Sequence, residues 1–252
     1  MKILAIAGIT VRESLSRKVQ VNLFLFGLLL VLASFLASAL TVGEQHRIIA
    51  DLGLSAMTLV STLLAAFLGA GVVAGDLERR VIYAVMAKPL SRSEYLLGRY
   101  LGLACALLVN VLAMAALLAA LLVLDAGSLA PLDRALAAAV LMMCVQTLVV
   151  AAVGVFFSAF TTTTLASIFT LALAIAGHLT GDLRELWKGG SNWIPRLIWF
   201  VVPNLSALTL NDAVVYHVQV TAAALLPAVY ALLYAATALA LGAAIFERRD
   251  FR

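Results

Sequence analysis

The sequence predicts an all-α, polytopic membrane protein with six transmembrane helices, and three observations lead to this fold class. Hydrophobic residues make up 64% of the 252 residues and charged residues 12%, with a mean hydropathy of +1.10, whereas soluble domains carry roughly one quarter charged residues. The apolar residues lie in six segments, each near the roughly 20 residues that a helix needs to cross a bilayer. The basic residues gather towards the ends of those segments, where membrane boundaries are expected.

Residues 1–18 precede the first apolar segment and predict an amphipathic surface helix. Its apolar residues recur at helical spacing: Leu4, Ala7, Val11 and Leu15. Its polar residues occupy another face: Arg12, Glu13, Ser16 and Arg17. We expect this helix to lie on the membrane surface, which is compatible with a second role in touching a cytoplasmic partner.

Six apolar segments follow, and each predicts one transmembrane helix. Their approximate ranges are 20–40, 54–74, 96–124, 133–157, 162–180 and 220–245. The third and fourth are long enough to tilt or to protrude from the bilayer. The first ends in a small-residue pattern typical of signal cleavage, but its apolar run exceeds the roughly 7–15 residues of a signal peptide, so we expect a retained anchor.

A charged loop, residues 76–95, separates the second and third apolar segments. Gly75 ends the second segment, and Asp76 can cap a following helix that has Glu78 in its first turn. Residues 77–87 then make about three helical turns. A short helix held between two membrane helices would move as a lever when pushed. A solvated connector whose charges fix the topology is the alternative.

The third membrane helix has its own start signal within this loop. Pro89 disfavours helical geometry at Lys88 and ends the short helix. Ser91 and Glu94 then have the spacing of a capping box, in which each side chain bonds the other residue's backbone N–H. We therefore expect the third membrane helix to begin near Arg92.

The basic residues also predict which side of the membrane the loop faces. Six spans place both termini on one side together with the 76–95 loop. That side carries 12 of the 17 basic residues: Lys2, Arg12, Arg17, Lys18, Arg79, Arg80, Lys88, Arg92, Arg99, Arg248, Arg249 and Arg252. The opposite side carries five: Arg47, Arg134, Arg184, Lys188 and Arg196. The positive-inside rule therefore predicts that both termini and the loop are cytoplasmic.

Residues 181–219 form a long outer segment between the fifth and sixth spans. Aromatic residues typical of a lipid–water interface are spread through it: Trp187, Trp193, Trp199 and Tyr216. Its apolar stretch 194–202 is too short to span a bilayer and lies between Pro195 and Pro203. We expect an interfacial or re-entrant segment. Since no linker or repeat interrupts the chain, residues 1–252 are predicted to be a single transmembrane domain.

The sequence lacks motifs for catalysis, nucleotide binding or metal binding, and we therefore predict no catalytic, cofactor or metal site. The sequence contains no phosphate-binding Gly-x-x-x-x-Gly-Lys-Ser/Thr pattern and no nucleophile elbow. The three histidines, His46, His178 and His217, lack metal-ligand spacing, and we expect His178 to form a hydrogen bond within the bundle. The chain is therefore predicted not to be an enzyme.

Polar residues inside the spans are few. No carboxylate sits near mid-membrane, which disfavours an ion-driven secondary carrier. Asn110 and Gln146 are expected to hold helices together rather than to bind substrate. Two Gly-x-x-x-Gly pairs predict close helix packing on either side of the charged loop: Gly71 with Gly75, and Gly98 with Gly102.

Several short motifs resemble the export permeases of type-2 ATP-binding-cassette (ABC) transporters. In the charged loop these are Asp76-Leu77-Glu78-Arg79-Arg80, Lys88-Pro89-Leu90-Ser91-Arg92 and Tyr95-Leu96-Leu97-Gly98-Arg99. The Arg12-Glu13 helix, Ala176-Gly177-His178 and the terminal Phe246-Glu247-Arg248-Arg249-Asp250-Phe251 are also similar. Each motif is weak alone, but their order and spacing cover nearly the whole chain.

The resemblance implies an exporter's permease subunit in a cell inner membrane, driven by separate ATPase subunits that bind ATP and Mg. A second permease copy would pair with it, as a homodimer or with a related permease. Residues 77–87 would be the coupling helix. The contacts to the ATPase would come from Glu78, Arg79, Arg80, Lys88 and Arg92. Arg99 is a further candidate. A membrane scaffold that docks a cytoplasmic partner without transport is the alternative.

Overall fold

A computed structural model gives the fold of this chain and describes residues 2–16, 18–38, 45–78, 91–128, 130–180, 202–216, 224 and 226–248. Within these ranges the chain is helical apart from turns and short connections, and no strand occurs. The predicted all-α membrane fold is therefore confirmed.

Eight α-helices and one short 3-10 helix make up the described chain. They are α1 (Lys2–Ser16), α2 (Lys18–Ser38), α3 (Gln45–Glu78), α4 (Arg92–Ala126), α5 (Arg134–Ser158), α6 (Thr163–His178), the 3-10 helix (Ser206–Leu208), α7 (Asn211–Val215) and α8 (Leu226–Arg248). Helices α2, α3, α4, α5, α6 and α8 correspond in order to the six predicted spans. We call the end of the bundle where α3 ends and α4 begins the loop end, and the opposite end the far end.

Five of these helices are long and apolar enough to cross a membrane: α2, α3, α4, α5 and α8. Helix α6 is apolar but has only 16 residues, which corresponds to about 24 Å at 1.5 Å per residue. It ends because Leu179 lies in a turn, so the fifth predicted span contains a shorter helix than the prediction assumed.

Helices α3 and α4 are the longest, with 34 and 35 residues. At about 51–53 Å each, they exceed a hydrocarbon core of roughly 30 Å. The prediction underestimated the second span, since α3 begins at Gln45 rather than near residue 54. Ile49 and Ala50 are fully buried there, so tertiary packing continues the helix beyond the most apolar stretch. The fourth span was predicted over residues 133–157, and helix α5 has the same length, 25 residues.

Helix α3 occupies the centre of the bundle and packs against α2, α4, α5 and α6. It approaches α5 most closely where Gly69 meets Gly154. A Cβ atom at Gly69 would lie 2.9 Å from the carbonyl oxygen of Ala151. Because lipid tails are as apolar as the side chains, such close backbone packing is a main source of helix association in membranes.

The described part of the outer segment, residues 202–216, covers the far end of the bundle. Leu205 N donates to the Gly177 carbonyl at 3.1 Å, and Thr180 Oγ1 donates to Asn204 Oδ1 at 2.9 Å. Helix α7 packs on α3 and α5, and the Arg47 guanidinium lies 5.7 Å from the centre of the Tyr216 ring. Trp187, Trp193 and Trp199 lie outside the described residues, so the predicted interfacial or re-entrant form of residues 181–201 stays a prediction.

Candidate functional site

The start of α4 matches the sequence prediction closely. Ser91 is the N-cap residue and accepts from Glu94 N at 3.2 Å, while Ser91 N donates to Glu94 Oε2 at 3.0 Å. This reciprocal capping box satisfies two backbone groups that a helix start leaves free. The helix begins at Arg92, as predicted, and this fixes the direction in which the following side chains enter the bundle.

A buried arginine, Arg99, joins three helices two turns into α4. Its Nε donates to Asp76 Oδ2 of α3 at 2.8 Å, and Nη2 also contacts that oxygen. Nη1 donates to Glu13 Oε2 at 2.6 Å and to Thr10 Oγ1 at 3.2 Å, both on α1. Tyr95 donates its hydroxyl proton to Asp76 Oδ2. We call these five residues the Arg99 network.

Burial gives the Arg99 network its energetic weight. The Arg99 and Asp76 side chains are 8% and 5% exposed, whereas Glu13 is 33% exposed. A charge held away from water is tolerated only when a partner of opposite charge and hydrogen bonds compensate the lost hydration. Asp76 is therefore the main compensating charge, and Glu13 adds a weaker contribution because water screens it.

Asp76 does not cap a separate helix, and that prediction was wrong. Helix α3 continues through Gly75 and Asp76 to Glu78, and the Asp76 carboxylate points into the bundle. The physical reason is the partner: Arg99 and Tyr95 offer stronger compensation than the free N–H groups of a helix start. Glu78 is the last described residue before the gap at 79–90, so the predicted helix over 77–87 lies largely outside the described residues.

Two glycines of α4 allow α1 to pack against it at backbone distance. A Cβ atom at Gly98 would lie 2.9 Å from Ile6 Cβ, and one at Gly102 would lie 2.5 Å from Thr10 Cβ and clash with the Ala7 carbonyl oxygen. The earlier glycine, Gly98, contacts Ile6 and the later one, Gly102, contacts Thr10, so α1 and α4 run in the same direction here. Both glycines of this predicted pair therefore lie against α1 of the same chain.

The second predicted glycine pair behaves differently. Gly71 is buried, but a Cβ atom at Gly75 would meet no described residue within 4 Å. The described part of the chain therefore shows no close packing at Gly75, and its packing role stays a prediction. The glycine contact that brings α3 against α5 is made by Gly69 and Gly154, which are far apart in sequence and form no Gly-x-x-x-Gly pair with each other.

The face that α1 buries also differs from the predicted stripe. Ala7, Thr10 and Ser14 lie buried, whereas Leu4 is 73% exposed and Leu15 is 38% exposed. Close approach to the two glycines of α4 favours small side chains, so α1 turns Ala7, Thr10 and Ser14 inward together with the partly buried Ile6, and leaves Leu4 and Leu15 exposed. Sequence periodicity alone gives no preference between those two faces.

The end of α8 is attached to the start of α4. Arg92 Nη1 donates to the carbonyl oxygens of Phe246 at 3.2 Å and Glu247 at 2.9 Å. A cation at these carbonyls satisfies groups that a helix end leaves free and complements the helix dipole. The Tyr95 and Phe246 rings stack with their centres 6.3 Å apart. Arg92, predicted as an ATPase contact, therefore has an internal partner.

Glu78, another predicted ATPase contact, also has an internal partner. Its Oε1 accepts from Thr163 N, the first residue of α6, at 3.0 Å. The remaining predicted contacts, Arg79, Arg80 and Lys88, lie outside the described residues, and their role stays a prediction. The loop end thus brings together α1, α3, α4, α6 and α8 through polar side chains that flank residues 79–90.

A second polar contact lies near the middle of α3 and α5. Gln146 Nε2 lies 3.0 Å from His178 Nε2 and 3.4 Å from Thr62 Oγ1, and it joins α5 to α6 and α3. His178 Nδ1 lies 2.9 Å from the Ala174 carbonyl, and the tautomer that donates there leaves Nε2 to accept from Gln146. The predicted hydrogen bond of His178 and the helix-joining role of Gln146 are confirmed. Asn110, in contrast, is buried and its Nδ2 has no hydrogen-bond partner.

Within the described residues, no group of three or more His, Cys, Asp or Glu side chains could hold a metal ion. His46 lies 3.7 Å from Asp125, away from the Gln146 contact of His178, and His217 lies outside the described ranges. The loop end instead contains ion pairs and helix-capping hydrogen bonds that join several helices.

The sequence missed the Arg99 network because Arg99 and Asp76 were counted as loop charges. A signal was nevertheless present. Arg99 lies within the apolar third segment, and neither Tyr95 at i−4 nor Leu103 at i+4 carries a charge. A lone charge inside a predicted membrane helix normally faces the bundle and pairs with an opposite charge.

The comparisons with known proteins agree with the motif resemblance. The family model described as ABC-2 family transporter protein matches residues 4–251, which is nearly the whole chain. No curated protein matches it. The match includes α1, the Arg99 network and α8. The chain therefore belongs to the ABC-2 family of transporter proteins and is a multi-pass permease of that family.

Proposed function

We propose that this permease is the membrane subunit of an ATP-driven exporter and that residues 79–90 receive the force from a separate ATPase subunit. The observation that carries the proposal is the junction at the loop end. The two helices that flank the loop, α3 and α4, are joined to each other by Asp76 and Arg99. A displacement of the loop therefore moves both helices together.

The junction also distributes that displacement. Arg99 holds α1 through Glu13, Arg92 holds the end of α8, and Glu78 holds the start of α6. These contacts are short and directional, and charged hydrogen bonds of this kind are about twice as strong as neutral ones. A push on the loop would reach five helix ends without any chemistry in the permease.

The finer features of the proposal follow from the charge pattern and the family. The loop and both termini face the cytoplasm in a cell inner membrane, and Glu78, Arg79, Arg80, Lys88 and Arg92 form or flank the ATPase-facing region. ATP and Mg bind to the ATPase subunit. A second copy of the chain completes the pathway as a homodimer.

Co-purification tests this proposal directly. A tagged permease is expressed in its native host and solubilised in mild detergent. It should co-purify with an ATPase subunit, and the purified complex should hydrolyse ATP. Lys88→Glu combined with Arg80→Glu should weaken that association, because the charge of the loop reverses. Arg134→Glu on the opposite side of the membrane is the matched control and should leave association unchanged.

Two outcomes would count against the proposal. A folded permease that never carries an ATPase subunit would exclude ATP coupling. A stable complex with an ATPase-like partner whose nucleotide state never changes the far end of the permease would favour the non-transporting scaffold.

A further inference from the structure

Helix α6 begins without a side-chain cap of its own. Its N-cap residue, Thr162, has the extended backbone that suits capping, with φ −80° and ψ 159°, yet its side chain makes no capping hydrogen bond. The Oγ1 of the next residue, Thr163, is buried without a hydrogen-bond partner among the described residues. A helix start leaves four N–H groups without intrahelical partners, so α6 needs an acceptor from elsewhere.

Glu78 supplies that acceptor from another helix. Its carboxylate accepts from Thr163 N across 85 residues of sequence, at the last described position of α3. A negative charge at a helix N-terminus is also favoured by the helix dipole. The same glutamate stands directly before residues 79–90, so the end of the predicted coupling loop and the start of α6 share one side chain.

The other end of α6 is held near the middle of α5. His178 contacts Gln146 of α5, and the Gly177 carbonyl accepts from Leu205 N in the outer segment. Helix α6 therefore has polar contacts at both ends and packs along α3 between them. A short helix fixed in this way transmits a displacement of its start to its end.

We infer that Glu78 is a positioning residue that transmits motion of the loop to α6 and, through α6, to residues 202–216. This inference rests on the proposed function, because it assumes that an ATPase moves the loop. It differs from a direct ATPase contact: the carboxylate acts on a backbone N–H of the permease itself. The role requires the bond to come from α3, and a cap supplied within α6 would not replace it.

A pair of variants separates transmission from simple capping. Glu78→Ala removes the acceptor. Adding Thr162→Asp gives α6 a local N-cap of the preferred type, which restores the stability of its start but not its connection to α3. Glu78→Gln is the conservative control, since its amide oxygen can still accept from Thr163 N.

The measurement uses the permease purified with its ATPase subunits and reconstituted in proteoliposomes. Spin labels at Leu124, near the end of α4, and at Leu179, directly after α6, occupy exposed positions. They report the distance between α4 and α6 with and without ATP and vanadate. We expect a nucleotide-dependent distance change in the native protein and in Glu78→Gln. We expect both Glu78→Ala and the double variant to lose it, with ATPase stimulation reduced about fivefold or more. Only the double variant should recover the thermal stability.

Three results would overturn the inference. These are an unchanged distance response in Glu78→Ala, recovery of the response by Thr162→Asp, and a native complex whose α6 does not move on nucleotide binding. All three are measured in a complex that already contains the ATPase subunit. Failure of the proposed function would instead appear earlier, as a permease that binds no ATPase.

Discussion

Replacing Arg99 by methionine is the most direct test of the junction at the loop end. Methionine fills a similar volume without charge or hydrogen-bond donors. The substitution removes both donors to Asp76 and the contact with Glu13. The Asp76 carboxylate would keep only the Tyr95 hydroxyl as partner while its side chain stays 5% exposed.

The expected cost follows from that uncompensated charge. Breaking a buried ion pair by removing one partner costs about 3–5 kcal/mol of unfolding free energy. The Glu13 interaction adds little, because a carboxylate that is 33% exposed is screened by water. For a chain of this size, about 2–4 °C of melting temperature corresponds to each kcal/mol, so we expect a decrease of roughly 6–20 °C.

Thermal unfolding of the purified permease in detergent measures this change, with Arg12→Met as the matched control. Arg12 is an exposed cation on α1, and its replacement should change stability by less than about 0.5 kcal/mol. Adding Asp76→Asn to Arg99→Met should recover part of the loss, since the amide that replaces the carboxylate carries no charge.

The order of these three variants decides the question. If Arg99→Met costs no more than Arg12→Met, the buried ion pair does not support the fold. If adding Asp76→Asn makes Arg99→Met still less stable, the carboxylate is not the uncompensated charge, and the reasoning is refuted.

Three further substitutions test the packing, each by the same thermal measurement. Gly102→Ala should cost about 1–3 kcal/mol of unfolding free energy because its Cβ would clash with Ala7 and Thr10. Gly8→Ala is the control: its Cβ would meet no described residue within 4 Å, so it should be neutral or stabilise by up to about 1 kcal/mol. Equal effects of the two substitutions would contradict the close packing of α1 on Gly102. Gly69→Ala should likewise cost about 1–3 kcal/mol against Ala151, while Gly75→Ala should not; a harmless Gly69→Ala would mean that α3 and α5 are less closely packed. Gln146→Leu should cost about 1 kcal/mol by leaving His178 Nε2 without its donor, and an unchanged melting temperature would show that this bond contributes nothing.

The helices could be predicted from the sequence because lipid imposes a simple rule. A long apolar run must pair its own backbone groups, so hydropathy alone locates the membrane helices. The start of α4 was equally predictable, since Ser91 and Glu94 satisfy each other locally. Signals of this kind depend only on neighbouring residues.

The candidate site could be predicted only in part because its contacts are distant in sequence. Arg99 finds Asp76 at 23 residues and Glu13 at 86 residues of separation. The acceptor of Thr163 N is 85 residues away. Composition and periodicity carry no information on which distant charges meet, so Glu78 and Arg92 read as outward-facing contacts when each has a partner inside the chain.

Helix ends were misjudged for the same reason. Hydropathy falls near Gln45, but burial of Ile49 and Ala50 extends α3. Periodicity found the helical character of α1 but not its buried face, because that face is decided by glycines of α4.

The order of the charges along the chain has a consequence for biogenesis. Glu13 and Asp76 are synthesised before Arg99, so both acidic partners already exist when the ribosome delivers α4. An unpaired arginine at the centre of a membrane helix costs about 2.5–3.5 kcal/mol, and because Arg99 lies two turns from the start of α4 that figure is an upper limit for it. In this chain α1 and α3, which carry the two acidic partners, are synthesised before α4, so Arg99 can pair with them as α4 is inserted. A nascent chain that stalls between α3 and α4 would instead leave the Asp76 carboxylate without its arginine partner.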